Sequence, residues 1–486
     1  MINRARYVAF TCLSLVVACS SKSESGSSAE SQTQGPDAEA PVDDNCPVVV
    51  KDEDCDKSLR PFVFVHGTYG SGDNFAHVAA LLTSNGYCPD HIVAVEYNSL
   101  GDSPGASCDA TPKPQGCGKI DAVVNDIMAK TGATQVDLAG HSQGTAHCGT
   151  YLADAGNAKK VAHYINFSGS PDVGDTPTLS LSSQHDLGNT PHHATGKNVT
   201  TFTLMDEDHF AVAASTRSFV QVYQYLTGNM PTYNTVQCGD EQVTIEGLAE
   251  TFADNTPMAG RIEIRPIGTN PRDTSKPEVT VTNADGNGHF GPFTLRRNVP
   301  YEFRGFDEHK NLIGYQFFTP FKRSNRLVRL LSPAYANDGS GIGGTIAAAS
   351  TDKIVHASDD VALVGRWAGG GFRQDLGASL KIDGTEILTD VTAGSKALAN
   401  SNTSGGVVGL FMYDANQDHQ TQLGMVDSGP FLMFTDVYMD ASKPRMIDIT
   451  FTAGSEDTND TNEIKIPNWP SKDQYGNPVT SLLMLQ

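Results

Sequence analysis

Residues 135–152 read QVDLAGHSQGTAHCGTYL, and no other stretch of the chain restricts its fold as tightly. QVDLA reads as a short strand. Gly140-His141-Ser142-Gln143-Gly144 follows at once, and the apolar spacing of residues 145–152 is helical. A chain that passes from strand to helix in so few residues needs the backbone freedom of glycine, and the turn leaves Ser142 beyond the strand's carboxyl end. The surroundings fit the same plan. PFVFVH (61–66), HIVAVEY (91–97), 161–167, 178–182 and 199–203 read as strands. Residues 74–85, 121–130 and 210–226 read as helices. Strands alternating with helices build a parallel sheet with helices on both faces, and such sheets bind ligands beyond the carboxyl ends of their strands.

The residues able to do chemistry fall at those ends. Ser142 lies at a G-x-S-x-G turn that joins a strand to a helix, the context in which a serine acts as a nucleophile. Gly101-Asp102-Ser103-Pro104-Gly105 matches the same pattern, but it sits in a Gly/Pro-rich loop. Pro104 also removes the N–H that should follow the nucleophile, which excludes Ser103. A serine of this kind needs a histidine base and an acid that orients it, in the order serine, acid, histidine. His209, just after the last strand, takes the base position; His163 is inside a strand, and His192 and His193 are in a turn-rich segment. Asp186, at the end of the 178–182 strand segment, is the acid, with Asp172 one strand earlier as its rival. Asp206 and Asp208 are too near His209 in sequence to reach its far nitrogen and read as caps of the next helix. Two backbone N–H groups should hold the oxyanion, those of Thr68 and Gln143. Gly67 and Gly70 give the Thr68 loop its freedom, and His66 reads as part of a structural turn.

VHGTYGSGDNF, VDLAGHSQGT, PTLSLSSQHD and the DEDHF loop together resemble the small bacterial lipases of the α/β-hydrolase superfamily. That resemblance implies an α/β-hydrolase domain over residues 46–232, and carboxylic ester hydrolysis through an acyl-serine intermediate. From about residue 242 the helical period disappears. Short strands at 243–245, 261–264, 279–281, 290–295 and 301–303 form a β-rich domain spanning 240–335. A Gly/Ala-rich break at 334–350 precedes a second β-rich domain, 350–486, with strands at 361–364, 407–412 and 447–451. NADGNG (283–288) reads as a hairpin turn in preference to a calcium loop. Asp414-x-Asn416-x-Asp418 lacks the glycine and distant glutamate of an EF-hand loop. No C-x-x-C pair is present, and no metal or cofactor is expected. The stretch from PFTLRRNVPYEF to KRSNRLVRLL, with VVGLFMYD and IKIPNWPS, resembles the β-rich region of the archaeal (Archaeoglobus) long-chain lipases. That likeness implies a barrel or sandwich beside the acyl site and favours long-chain esters. There the acid sits one strand earlier, where this chain has Asn166 and Phe167. A helical lid in those relatives corresponds here to the Gly-, Pro- and Cys-rich residues 99–118.

Arg4 and Arg6 precede an apolar run, residues 7–18, too short to span a bilayer but suited to a signal peptide. It ends in Val16-Val17-Ala18-Cys19, which resembles a bacterial lipobox. The expectation is a signal over 1–18, lipid attachment at Cys19 and a polar tether over 19–45. The protein would then reside in the bacterial cell envelope, held to a membrane by its lipid anchor, or be secreted. Of the nine cysteines, Cys12 would leave with the signal and Cys19 take the lipid, and outside the cytoplasm most of the other seven should be paired. Cys46–Cys55 and Cys108–Cys117 are the short-loop candidates, with Cys148 free. A net charge of −22 excludes nucleic acid as a partner held by charge. Lipid or another ester remains the expected substrate. The competing readings are a polyester or plant-wall ester depolymerase with polymer-binding β domains, and a non-catalytic surface adhesion protein.

Overall fold

The computed structural model describes residues 46–100, 115–252, 254–274, 276–283, 286–332, 359–367, 369–374, 377–389, 407–429, 431–453 and 461–485. Cys19, Ser103 and Cys108 lie outside them. Residues 62–208 build a six-stranded parallel sheet. Its strands are β1 (Phe62–Val65), β2 (Ile92–Val95), β3 (Val136–His141), β4 (Val161–Phe167), β5 (Thr178–His185) and β6 (Val199–Asp208). Their spatial order is β2-β1-β3-β4-β5-β6.

The apolar run of β1 shows why the sheet forms. Phe62 and Phe64 face one core with Val78, Leu81 and Leu82 of α1 (Ala76–Ser84) and Phe219 and Val222 of α5 (Thr216–Thr227). Val63 and Val65 face the other core. There they meet Ile120, Val124 and Ile127 of α2 (Gln115–Thr131), and Cys148 and Tyr151 of α3 (Gln143–Leu152). All four β1 side chains are fully buried. A further short helix, α4 (Ala155–Ala158), precedes β4 and is capped by the Asp154 carboxylate.

The last helix starts later than its apolar pattern predicts. The Asp208 carboxylate accepts Phe210 N–H and Ala211 N–H at 2.7 Å each and caps a short 3₁₀ turn, Ala211–Ala213. Ser215 then caps α5, accepting Ser218 N–H at 3.2 Å. Asp208 is therefore the cap of the intervening turn. Asp206 pairs on the surface with Arg217 of α5.

The β-rich region is built from several sheets. A three-stranded sheet orders His289–Arg296, Gln242–Thr251 and Asn325–Ser332. A nine-stranded mixed sheet has Thr480–Leu485 in its middle, parallel to both Leu312–Phe318 and Leu363–Trp367. The two β-rich blocks that the sequence separates thus share one sheet, closed by the last strand. Val279–Asn283 pairs in the nine-stranded sheet and His289–Arg296 in the three-stranded one. The strands that flank NADGNG therefore belong to different sheets and are not paired with each other as a hairpin; residues 284 and 285 of that segment lie outside the described residues. In the loop after Gly409–Tyr413, the Asp414 carboxylate accepts the N–H groups of Asp418 and His419, so this segment caps its own turn.

Disulfides tie the parallel-sheet region and the segment just after it, and ion pairs join that region to the β-rich one. Cys46 pairs with Cys238, 192 residues away, and Cys55 with Cys88, which replaces the Cys46–Cys55 expectation. Sequence nearness was the wrong guide, because a disulfide needs close Cα atoms and converging Cβ vectors, not a short loop. Cys117 is also disulfide-bonded, and Cys148 is a buried free thiol. Arg329 of the β-rich region meets Glu96, and Arg366 meets Asp73 in full burial.

Candidate active site

Ser142 stands between β3 and α3 with φ 52° and ψ −119°, a backbone shape that non-glycine residues rarely adopt. Close packing enforces it. A Cβ on Gly144 would lie 2.4 Å from the carbonyl oxygens of both Val65 and His66. One on Gly67 would lie 2.9 Å from the Cβ of Ser142. The G-x-S-x-G spacing is therefore the space needed for α3 to start against the end of β1. Ser142 N–H donates to Phe167 O at 3.0 Å, fixing the turn to β4.

Asp186 follows β5 and is fully buried. Its Oδ1 accepts His209 Nδ1–H at 2.5 Å and Leu187 N–H at 2.7 Å; its Oδ2 accepts Ser182 Oγ–H at 2.8 Å. Burial by itself pushes this carboxyl up. The histidine and the other donors outweigh that and hold it well below the usual carboxylate range. Asp172 is exposed and accepts Gly174 N–H at 3.0 Å, a turn contact away from His209. Asn166 and Phe167, at the position of the earlier acid, are buried. Asn166 bonds Gly169 O and Ser180 Oγ.

His209 follows β6 and is 2% exposed. Two neighbours were not legible from pattern. His141 donates Nε2–H to His209 O at 2.8 Å, with ring centroids 4.8 Å apart. Burial, followed by the nearness of His209, lowers the His141 pKa to about 3, so it serves as a neutral donor that fixes the His209 backbone. His192 lies 3.5 Å from Asp186 Oδ2, and its N–H donates to Ser182 Oγ at 2.7 Å. Of the other histidines, His163 bonds Asp137 and His193 lies between Ser180 and Thr203.

The loop after β1 approaches the serine turn. Thr68 Oγ1 donates to Gln143 Oε1 at 3.0 Å, so the two residues expected to supply oxyanion donors are in contact. Gly70 N–H closes the loop on Gly67 O at 3.1 Å. Gln143 opens α3, where the helix dipole places partial positive charge. An aromatic row leads away from His209. Phe210 is 5.3 Å from it, Phe431 is 5.3 Å from Phe210, and Tyr69 is 6.3 Å from Phe431. An apolar cavity of about 50 Å³ lies in the β-rich region, lined by Met258, Ile262, Phe303, Tyr315, Leu330 and Leu482 among others; none of the expected site residues lines it. Among the described residues, the one His/Cys/Asp/Glu group close enough to suggest a metal is Cys88, Asp90 and His91, and Cys88 is held in a disulfide.

Comparison with known proteins gives matching descriptions for three segments. Residues 60–215 match the alpha/beta hydrolase fold, residues 241–334 a lipase C-terminal domain, and residues 366–479 a further "-like, C-terminal domain" family. Among solved structures, Bacillus subtilis carboxylesterase CesB aligns at 13% identity over 36% of this chain and 86% of its own, with a TM-score of 0.26. Aspergillus fumigatus lipase B aligns at 12% identity over 36% and 54%, with a TM-score of 0.26. An acetylxylan esterase aligns at 14% identity over 35% and 98%, with a TM-score of 0.24. The chain thus combines an α/β-hydrolase sheet with a β-rich C-terminal region in several sheets.

Proposed function

We propose that the protein is a serine carboxylic ester hydrolase that cleaves lipid or long-chain acyl esters through an acyl-Ser142 intermediate. The buried Asp186–His209 hydrogen bond supports the reading, because both residues follow strands of the same parallel sheet whose β3 leads directly into Ser142. Since Nδ1–H of His209 points at Asp186, its Nε2 is the nitrogen left to act as base. In the first half-reaction Ser142 Oγ attacks the ester carbonyl carbon while His209 Nε2 takes the hydroxyl proton. The N–H groups of Thr68 and Gln143 receive the negative charge that develops on the carbonyl oxygen. The tetrahedral species collapses, its C–O bond to the alcohol breaks, and His209 returns the proton to the leaving alkoxide. Water then repeats the sequence on the acyl-serine, with His209 as base, and releases the carboxylic acid and Ser142. Asp186 keeps its charge throughout and stabilises the imidazolium.

The match to a lipase C-terminal domain supports lipid or long-chain esters, as does the resemblance of the β-rich region to the archaeal long-chain lipases. The lipobox supports attachment to a membrane through Cys19 in the bacterial envelope. The test ranks kcat/KM over p-nitrophenyl esters from acetate to palmitate, triacylglycerol and insoluble polyester, for wild type and Ser142→Ala. Ser142-dependent turnover that rises with acyl length supports the proposal. Preference for the insoluble polyester would favour a depolymerase. Turnover surviving in Ser142→Ala would refute the mechanism.

A further inference from the structure

The oxyanion loop, residues 66–70, is useful only if it is rigid before substrate arrives, because preorganised donors stabilise developing charge without reorganising at the moment of reaction. On its outer side the loop is tied to the serine turn through Thr68 Oγ1 and Gln143. Tyr69 N–H donates to Ser99 Oγ at 3.0 Å, and Tyr97 Oη–H donates to His66 O at 2.7 Å. The inner side faces the β-rich region. There one amide nitrogen reaches both ends of the loop. Asn255 Nδ2 donates to Gly70 O at 2.8 Å and lies 3.1 Å from His66 Nε2.

The proton positions follow from the partners. His66 Nδ1 lies 2.9 Å from Gly67 O, which can only accept, so Nδ1 carries a proton, and Nε2 faces Asn255 Nδ2 at 3.1 Å and Glu96 Oε2 at 3.3 Å. The third neighbour of Asn255 Nδ2 is Glu96 Oε2 at 3.3 Å. Rotating the amide would turn its oxygen toward the Gly70 carbonyl and the Glu96 carboxylate, both acceptors, so the amide nitrogen faces the loop. The His66 ring is fully buried and stacked on Tyr97 with centroids 4.3 Å apart, which carries any shift of the ring into the loop. Asn255 is itself set for this contact. It is 3% exposed and adopts φ 52°, a conformation in which asparagine is among the best-tolerated non-glycine residues.

We infer that Asn255, contributed by the β-rich region, is a positioning residue for the Thr68 oxyanion donor. The inference rests on the serine-hydrolase reading and gives the β-rich region a part in the rate of acyl transfer as well as in substrate choice.

The test uses the full-length, oxidised protein and two variants that both tolerate a positive φ, Asn255→Gly and Asn255→Asp. Active sites are counted by saturating phosphonate labelling, so that unfolded molecules do not enter the rate. On soluble p-nitrophenyl butyrate, kcat per labelled site should fall by about 10- to 100-fold, a part of the loss seen when an oxyanion donor is removed. KM should stay within about twofold, and the inhibition constant of a trifluoromethyl ketone, whose adduct places an oxyanion in the same position, should weaken by the factor lost in kcat/KM. A merely structural role would lower the number of labelled sites and leave both quantities per site unchanged. That result, or a kcat loss without matching loss of ketone binding, would overturn the inference. A wild type lacking turnover that Ser142→Ala abolishes would remove the underlying reading, and the inference with it. That failure shows in the wild type alone, which separates it from a failure of Asn255.

Discussion

Replacing Arg366 by methionine should destabilise the protein far more than a surface charge change, because Arg366 and Asp73 are both fully buried. Arg366 Nη1 donates to Asp73 Oδ2 at 2.7 Å, and both guanidinium Nη atoms lie 3.3 Å from Ser71 Oγ. In Arg366→Met the Asp73 carboxylate keeps the Ser71 hydroxyl, 2.5 Å from Oδ1, but loses its counter-charge in a site without water access. Breaking one partner of such a pair costs about 3–5 kcal/mol, whereas replacing both by uncharged groups of similar volume is often near neutral. Asp73→Asn with Arg366→Met should therefore recover more than half of the single-variant loss, since the asparagine Oδ1 can still accept from Ser71. The assay is guanidinium denaturation of the oxidised protein, followed by fluorescence of Trp367 and Trp469 and by far-ultraviolet circular dichroism. The two probes must report one transition before free energies are compared. Asp73 follows the loop at residues 66–70 and Arg366 lies in the nine-stranded sheet, so the pair joins the two regions. A loss below about 1 kcal/mol in Arg366→Met, a double variant no better than the single, or separate transitions for the two regions would refute the reasoning.

Asp186→Asn should lower kcat by about 10⁴-fold, because an amide at that position stabilises the wrong histidine tautomer. Asp172→Asn, exposed and bonded to a turn, should leave kcat within about twofold; the reverse ranking in steady-state kinetics would move the acid one strand earlier. Glu250 is fully buried, and burial followed by the charge of Glu96 holds its carboxyl well above the ordinary range, against the opposing pull of Arg329. The folded chain then binds more protons than the unfolded one above about pH 4.3, so this group's contribution falls as pH rises, by at most about 1.4 kcal/mol per pH unit. Glu250→Gln should accordingly gain stability over wild type between about pH 5 and pH 8 in denaturation midpoints, and a pH-independent difference would contradict this. A chain ending near residue 235 loses Cys238, Asn255, Arg329 and Arg366 together, so it should not refold to a labelling-competent state; recovery of active sites after refolding would show that the hydrolase sheet stands alone.

The centre of the parallel sheet was legible because β1, Phe62–Val65, is buried on both faces and therefore reads as an unbroken apolar run, whereas the edge strand β6 is largely exposed. The serine turn was legible for a related reason. The close approach of Gly144 to Val65 and His66 demands a residue without a side chain, so the packing leaves a mark in the sequence. Asp186 and His209 could be assigned by chain order and strand ends, and the structure brings them into contact. What the sequence withheld depends on contacts between distant segments. Asn255 lies 185 residues beyond Gly70, Arg329 lies 233 beyond Glu96 and Arg366 lies 293 beyond Asp73. None of these residues belongs to a pattern, and each is ordinary until the fold places its partner. The cysteines and NADGNG misled for the same reason. Short spacing suggested a loop closure and a hairpin, but the tertiary arrangement sends Cys46 to Cys238 and the two flanking strands to different sheets. The start of the last helix was misread because Asp208 caps a separate 3₁₀ turn before Ser215 begins α5, and apolar spacing runs unbroken across both.

In the proposed mechanism Ser142 alone forms the covalent intermediate. The direct measurement is a titration of the full-length enzyme with a fluorophosphonate, with residual ester turnover followed in parallel and the modified peptide identified by mass spectrometry. One phosphonate per chain is expected, on Ser142, with turnover falling in proportion to labelling and no uptake by Ser142→Ala. A label on Ser103 or any other residue, or turnover that persists once Ser142 is fully modified, would contradict it.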